Sequence, residues 1–291
     1  MKEYLKRYVD DDLEFYLEAI GAILIIGPKW CGKTTTAEQH SKSSIKLQDK
    51  YKSENYLNLM NINPYKILEG ENPCLIDEWQ EAPELWDLVR NSVDEIGEDG
   101  LYILTGSTVV DKSKIMHSGA GRIHRLMMRP MSLYESGESN GKISIMELFK
   151  NPNLNIDGIE SNLSIDELFF AMCRGGWPAS LNKKSKKAQL SVVYSYLDIV
   201  SNEDMANIDD KNRDPNKVRF ILQSYARNIS TNVKNTKIMD NINKHYGQIS
   251  EPTFYSYINA LKKLFVIDNI GAWSPNIKSK TSIRSNEKKN L

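Results

Sequence analysis

A short apolar segment followed by a glycine-rich loop constrains the fold of this chain more than any other feature. Residues 22–26 have the sequence AILII, and residues 27–34 have the sequence GPKWCGKT, which matches the pattern G-x-x-x-x-G-K-[ST]. An apolar run that ends abruptly at a turn is typical of a strand buried in a parallel sheet. Residues 34–38 then favour a helix, so the sequence predicts a strand, a loop and a helix in succession.

The residues of this loop, which we call the phosphate loop (27–34), have the chemistry of an anion-binding site. Gly27 and Gly32 allow the backbone to approach an anion without an intervening Cβ, and the N-terminus of the next helix adds partial positive charge. The pattern predicts that Lys33 reaches the β- and γ-phosphates and that the Thr34 hydroxyl ligates Mg²⁺. A chance Gly-Lys-Thr sequence in an ordinary loop is the alternative. The predicted nucleotide-binding residues are Gly27, Pro28, Lys29, Trp30, Cys31, Gly32, Lys33, Thr34 and Thr35.

A second apolar segment ends in two adjacent carboxylates. Residues 71–73 form a predicted turn, and residues 74–79 have the sequence CLIDEW. Asp77 takes the position of a Walker B aspartate, which holds the metal ion, and Glu78 that of the base that orients the attacking water. A solvated strand end is the alternative. The phosphate loop upstream favours the catalytic interpretation.

Hydroxyl side chains follow the next predicted strand. Residues 101–104 are apolar, and the segment ends at Thr105 and Ser107. We expect this strand to lie next to the one that carries Asp77 and Glu78. Thr105 or Ser107 is therefore predicted to sense the γ-phosphate or the attacking water, although ordinary turn chemistry explains either residue equally well.

An arginine that follows a glycine-rich link is a candidate for the arginine finger of a nucleotide hydrolase. Arg122 precedes a predicted strand over residues 123–131, and Arg125 lies at its start. A guanidinium group can stabilise the charge that develops on a transferred phosphoryl group. Arg122 is the first candidate and Arg125 the second, and Arg122 would act in trans if the protein forms a homo-oligomer. A surface arginine is the alternative for each.

Length and composition exclude several classes of protein. The 291 residues are enough for two domains. No apolar run approaches the ~18 residues of a membrane helix, and the charged first 18 residues do not resemble a signal peptide. The three dispersed cysteines favour reduced thiols, and the four histidines show no zinc pattern. We therefore predict a cytoplasmic protein that does not associate with a membrane.

Strands alternate with helices between residues 20 and 135, which predicts an α/β fold with a mainly parallel sheet. A lead-in helix is predicted at residues 4–19. After residue 140 the patterns become helical, and Ser164 with Glu167 forms a capping box at the start of an amphipathic helix. This part of the chain suits a helical lid.

Helical patterns at 215–236 and 253–265, followed by a strand-like segment at 265–270, predict a winged helix. Residues 1–180 contain 19 Lys and Arg against 28 Asp and Glu, whereas residues 181–291 contain 19 against 10. This basic balance allows DNA as a partner of the second part. The predicted recognition helix offers only Ser256, Asn259, Lys262 and Lys263. So small a set for reading bases favours a role in packing or regulation.

Four motifs together resemble the prokaryotic predicted ATPases of the AAA+ superfamily, in which an AAA domain precedes a C-terminal domain of unknown function. They are the phosphate loop, LIDEWQ at 75–80, ILTGS at 103–107 and GGWP at 175–178. The resemblance implies a P-loop NTPase fold of three layers with a parallel sheet. It also implies that Pro178 lies near the adenine or ribose on the lid side. Relatives usually continue past the winged helix into a further α/β segment, which the 291 residues of this sequence do not include. The resemblance therefore does not imply an output activity for this chain.

We therefore predict an ATPase domain with its lead-in helix at residues 1–139, a helical lid at 140–200, a winged-helix-like domain at 201–273 and a flexible tail at 274–291. The predicted function is Mg²⁺-dependent ATP binding with slow hydrolysis, and the predicted cofactors are ATP and Mg²⁺. One alternative is an ATP-controlled DNA-binding module that contacts DNA through residues 181–291. A P-loop small-molecule kinase is the other.

Overall fold

The computed structural model describes residues 3–49, 55–56, 58–60, 62–106, 117–209, 211–271 and 288–289. The chain divides into two compact units, Met1–Val193 and Tyr194–Leu291. The boundary between them lies close to the predicted boundary at residue 200. The finer division into four parts stays a prediction.

The first unit contains a five-stranded sheet in which every neighbouring pair of strands is parallel. Its strands are Ala22–Ile26 (β1), Ser43–Lys46 (β2), Cys74–Asp77 (β3), Tyr102–Thr105 (β4) and Ile123–Met127 (β5). Their order is β2-β3-β4-β1-β5. The predicted parallel α/β fold is therefore confirmed. β5 ends before residue 131 because Pro130 has no N–H to donate and the Met131 N–H donates to Gly176 O at 2.7 Å.

Helices precede, connect and follow these strands. They are Tyr8–Leu17 (α1), Lys33–His40 (α2), Glu84–Ile96 (α3), Ile145–Lys150 (α4), Ile165–Arg174 (α5), Pro178–Leu181 (α6) and Lys186–Ile199 (α7), which crosses into the second unit. Short 3-10 turns cover Pro64–Leu68 and Trp79–Glu81. The capping box of α5 forms as predicted.

The core of the first unit covers both faces of the sheet. Successive side chains of a strand point to opposite faces. Leu24 and Leu104 belong to a buried cluster that includes the apolar face of α3. Ile23 and Ile103 point to the opposite face and are also fully buried. Such two-sided burial is what the predicted three-layer architecture requires.

The second unit is helical. A π-helical turn at Val200–Asp204 leads into Met205–Asn207 (α8), and Pro215–Ala226 (α9), Asn235–His245 (α10) and Glu251–Lys263 (α11) follow. The Asp214 side chain accepts a hydrogen bond from Asn216 N and caps α9, and the Ser250 side chain caps α11 in the same way. Within the described ranges, each helix of the chain is too short or too polar to cross a membrane.

The strand predicted over residues 265–270 is wrong. Phe265 adopts a left-handed conformation with φ 56°, and the Val266 N–H donates back to Leu261 O at 3.0 Å. These hydrogen bonds close the end of α11 as a turn instead of extending the chain. Ile270 forms an isolated antiparallel bridge with Lys288. The winged helix, which would include residues outside the described part, stays a prediction.

Candidate functional site

The phosphate loop lies at the carboxyl edge of the sheet, between β1 and α2. Gly27 has φ 153°, and a Cβ on it would lie 2.0 Å from Met128 O. Gly32 has φ 106° and precedes the first residue of α2. Both positions therefore require glycine, one for close backbone packing and one for a left-handed conformation. The Lys29 and Trp30 side chains between them are exposed.

Lys33 folds back over the phosphate loop. Its ammonium donates hydrogen bonds to Gly27 O at 3.0 Å and to Pro28 O at 2.9 Å. The side chain is half-buried, so the positive charge is held against the loop and does not extend into solvent. Contact of Lys33 with phosphate oxygens stays a prediction.

Three oxygen-bearing side chains meet beside this lysine. Asp77 Oδ1 accepts a hydrogen bond from Thr34 Oγ1 at 2.7 Å and another from Thr105 Oγ1 at 2.5 Å. Asp77 and Thr105 are paired in the β3–β4 register, and both are buried. The parallel sheet brings these residues together because the carboxyl ends of β1, β3 and β4 lie at one edge. The predicted neighbourhood of the phosphate loop, Asp77 and Thr105 therefore exists.

Glu78 follows β3 in a strained conformation. Its φ of 56° and ψ of 50° lie in the left-handed region, which a glutamate rarely adopts. The half-buried side chain accepts a short hydrogen bond at Oε2 from Gln80 Nε2. Such strain is concentrated at functional sites. Sequence reasoning identified Glu78 but missed Gln80, whose position in the LIDEWQ motif could have drawn attention to it.

The remaining predicted site residues have different surroundings. Ser107 lies outside the described residues. Arg122 precedes β5, at the edge of the sheet opposite the phosphate loop, and its Nε donates to Asp94 Oδ1 at 2.7 Å. The Arg125 guanidinium carbon lies 5.8 Å from the centre of the Trp86 ring. The structure brings neither arginine to the phosphate loop of the same chain, and a role for Arg122 in trans stays a prediction.

Pro178, the first residue of α6, does lie beside the phosphate loop. Its Cγ is 3.7 Å from the position that a Cβ on Gly32 would take. The turn that presents it is fixed by the hydrogen bond from Met131 N to Gly176 O. The predicted contact of Pro178 with a nucleotide is compatible with this placement and stays a prediction.

The chain is similar to known families over most of its length. The family model described as an AAA domain matches residues 20–137. Residues 20–137 are an AAA domain. A second model, a domain of unknown function (DUF8612), matches residues 165–290. The predicted pairing of an AAA domain with a C-terminal domain of unknown function is thereby confirmed, and the AAA domain indicates an ATP-binding protein.

A solved structure of a Walker-type ATPase supports the fold. The Walker-type ATPase PABY2304 of Pyrococcus abyssi is 16% identical, with 91% of each chain covered and a TM-score of 0.54. A signal-transduction ATPase with numerous domains from Pyrococcus horikoshii is 13% identical, over 92% of this chain and 40% of that chain, at a TM-score of 0.35. AMPPCP-bound DnaA from Aquifex aeolicus is 14% identical, over 88% of this chain and 86% of that chain, at a TM-score of 0.36. No curated protein matches the chain.

Segments on both sides of the AAA domain contact its phosphate loop. Pro178 lies within the C-terminal match, and Arg7 lies before the AAA domain begins. Arg7 Nη1 donates to Cys31 O at 2.8 Å. Sequence reasoning missed this contact because a single arginine in a charged helical segment gives no local signal. Cys31 itself is fully buried, and burial raises the pKa of its thiol.

Proposed function

We propose that the AAA domain binds Mg²⁺-ATP and hydrolyses it slowly, as ATPases of the AAA+ type do. The observation that carries the proposal is the shared oxygen of Asp77, which links the last residue of the phosphate loop to the end of β4. Burying an unpaired charge is costly. An ordinary structural turn therefore does not explain why a carboxylate is buried at this position. Its two hydroxyl partners instead hold it in a fixed orientation beside Lys33.

The residues of the phosphate loop would bind the triphosphate. Backbone N–H groups of residues 27–34 and the N-terminus of α2 supply positive potential. Lys33 would exchange its carbonyl partners, Gly27 O and Pro28 O, for phosphate oxygens, which are stronger acceptors for an ammonium group. Phosphoryl transfer depends mainly on such positioning and charge stabilisation.

The residues present fit a magnesium ion. Within the described residues, no group of three or more His, Cys, Asp or Glu side chains could hold a metal alone. Mg²⁺ does not need one, since it is usually held by one or two carboxylates, waters and substrate phosphates. Thr34 Oγ1 and Asp77 Oδ1, 2.7 Å apart, offer the oxygen ligands it prefers. When bound, the ion would neutralise charge on the phosphate oxygens.

Glu78 is the proposed base. Its carboxylate is half-buried and is held by Gln80, so its orientation is set before a water molecule arrives. An oriented carboxylate can accept the proton of the attacking water. Thr105, whose hydroxyl donates to Asp77, or Ser107 is proposed to sense the γ-phosphate. A homo-oligomer in which Arg122 of one copy reaches the site of another is proposed as the assembly.

Phosphate release from purified protein tests this function. We expect slow release from ATP with Mg²⁺ and without any added acceptor, and no release in EDTA. Lys33→Ala should abolish ATP binding, whereas Lys150→Ala, a change at an exposed lysine of α4, should not. Hydrolysis that is equally fast in Lys33→Ala would overturn the site assignment. ADP formation that requires an added acceptor, without release of inorganic phosphate, would instead support the small-molecule kinase, because the phosphoryl group then ends on the acceptor.

The excess of positive charge in residues 181–291 favours a second candidate, DNA binding by the C-terminal part. There, 19 Lys and Arg stand against 10 Asp and Glu. Affinity that depends on phosphate contacts falls steeply with salt. Labelled duplex DNA should therefore bind at low salt and be released as salt rises. An unshifted duplex at low salt would remove this candidate and leave the packing or regulatory role of the second unit.

A further inference from the structure

A buried arginine outside the AAA domain connects three segments around the phosphate loop. Arg7 precedes α1, and only 5% of its surface is exposed. Its guanidinium donates to Cys31 O at 2.8 Å, to Arg129 O at 2.7 Å and to Glu135 Oε1 at 3.0 Å. An arginine is rarely buried unless its charge is paired. The segment that precedes α1 thus contacts the backbone of the phosphate loop.

The contact with Cys31 fixes the orientation of a peptide group in the phosphate loop. A trans peptide is planar, so its C=O and the following N–H point in opposite directions. Because Cys31 O points at Arg7, the N–H of Gly32 points away from Arg7. Gly32, with its left-handed φ of 106°, has the freedom to rotate this peptide. A donor on the carbonyl side removes that freedom.

We propose that Arg7 is a positioning residue for nucleotide binding. It holds the Cys31 carbonyl towards itself, so that the Gly32 N–H on the other side of the peptide is directed at the phosphate oxygens. The role rests on the proposed function of the same site. Arg7 does not touch the nucleotide in this proposal. It reduces the entropy that the loop would otherwise lose when the phosphates bind, which is the general advantage of preorganisation.

The other partners of Arg7 make it a rigid support. Burial would raise the pKa of Glu135, but the N–H groups of Ser132 and Tyr8 and the Arg7 guanidinium hold that pKa below its ordinary value, so the carboxylate is charged at neutral pH. The two N–H groups donate to Glu135 at 2.6 and 2.8 Å. The backbone N–H of Arg7 donates to Asp10 Oδ2 at 2.6 Å.

Asp10 extends this support to the helix that follows the phosphate loop. It is buried and accepts hydrogen bonds from the Tyr4 hydroxyl, and its Oδ1 lies 2.8 Å from His40 Nε2 at the end of α2. The Tyr4 hydroxyl also lies 2.8 Å from Thr36 Oγ1. The lead-in segment is therefore attached to both ends of the unit formed by the loop and α2. A purely structural ion pair between Arg7 and Glu135 would not need these connections.

The test separates positioning from stability. Arg7→Gln removes the donor to Cys31 and leaves Glu135 buried without its charge partner, so this variant should lose stability. In Arg7→Gln/Glu135→Gln the uncompensated charge is gone, and the midpoint of thermal unfolding should recover towards that of the parent. The guanidinium group that donates to Cys31 O is absent from both variants. The dissociation constants for Mg²⁺-ATP and Mg²⁺-ADP are measured by calorimetry, well below each unfolding midpoint.

We expect both variants to bind ATP about tenfold more weakly or worse than the parent, because hydrogen bonds from charged groups carry that much free energy. ADP binding should weaken in proportion, since the N–H groups of the loop contact the α- and β-phosphates. Arg213→Gln is the matched control. Arg213 is an equally buried arginine of the second unit that donates to Asp209 and to the carbonyl of Met205. It should lower the unfolding midpoint and leave the ATP dissociation constant unchanged.

Each outcome decides one question. A double variant that regains stability and still binds ATP weakly supports the positioning role. A double variant that regains stability and binds ATP like the parent overturns that role alone. A parent protein that binds no ATP overturns the proposed function, and the positioning role with it.

Discussion

Thr34 and Asp77 are 43 residues apart in sequence, and their side-chain oxygens are joined by a 2.7 Å hydrogen bond. The strands that lead to them, β1 and β3, are not neighbours, because β4 lies between them. Thr34 reaches across the end of β4, where Thr105 donates to the same Asp77 oxygen. One carboxylate oxygen thus connects the start of α2 with the carboxyl ends of β3 and β4, which makes it the most informative atom for testing the site.

Asp77→Asn should separate the charge of this residue from its hydrogen bonds. The amide oxygen can still accept from the Thr34 and Thr105 hydroxyls, so the unfolding midpoint should stay close to that of the parent. The loss of the negative charge should remove most of the Mg²⁺ dependence of ATP binding and slow hydrolysis by at least about 100-fold. ATP affinity is measured with Mg²⁺ and with EDTA. If ATP affinity differs between Mg²⁺ and EDTA as much in Asp77→Asn as in the parent, the metal assignment is contradicted.

Glu78→Gln should retain nucleotide binding and lose turnover. Glutamine can keep the contact with Gln80 but cannot accept a proton from water, and general bases contribute roughly 10²- to 10⁴-fold to rate. Single-turnover phosphate release measures the effect, and Glu81→Gln, at an exposed glutamate in the same 3-10 turn, is the control. If Glu78→Gln hydrolyses ATP at the rate of the parent, another group is the base.

The centre of this site could be predicted from the sequence because its parts carry local signals. The spacing of Gly27, Gly32 and Lys33 identifies the phosphate loop, and an apolar strand that ends in Asp77 identifies the second carboxyl end. The rule that parallel strands end at one edge then places them together. Because each signal spans fewer than about ten residues, no long-range contact had to be foreseen.

The surroundings of the site could not be predicted, for a different physical reason. Arg7 and Cys31 are brought together only by the packing of α1 against β1 and β5, and no periodicity encodes which buried arginine meets which carbonyl. The sequence of residues 265–270 favours a strand because Phe, Val and Ile have high strand propensity. The left-handed Phe265, which closes α11, overrides that local preference.

Acid should destabilise the second unit through Asp209. The hydrogen bonds from Arg213 lower the pKa of Asp209 from 3.8 to about 2 in the folded state. A carboxyl group whose pKa is lowered by folding stabilises the protein at pH values above its ordinary pKa. That stabilisation is lost as the pH falls from about 4 towards 2. The unfolding midpoints of the parent and of Asp209→Asn are compared at pH 5 and at pH 2. The difference between them should shrink at pH 2, and a difference that does not change with pH would contradict the assignment.

Gly176→Ala should destabilise the turn that carries Pro178. A Cβ at this position would lie 2.0 Å from Met131 O and 2.7 Å from Met131 N. Both atoms are backbone, and Met131 N donates the hydrogen bond to Gly176 O that closes the turn. Because backbone cannot move aside as a flexible side chain can, we expect a loss of about 2 kcal/mol in the free energy of unfolding. Denaturant unfolding measures it, with Gly271→Ala as the control, since a Cβ on Gly271 meets no described residue within 4 Å. An equal effect of the two substitutions would show that the close approach of Gly176 to Met131 does not support the turn.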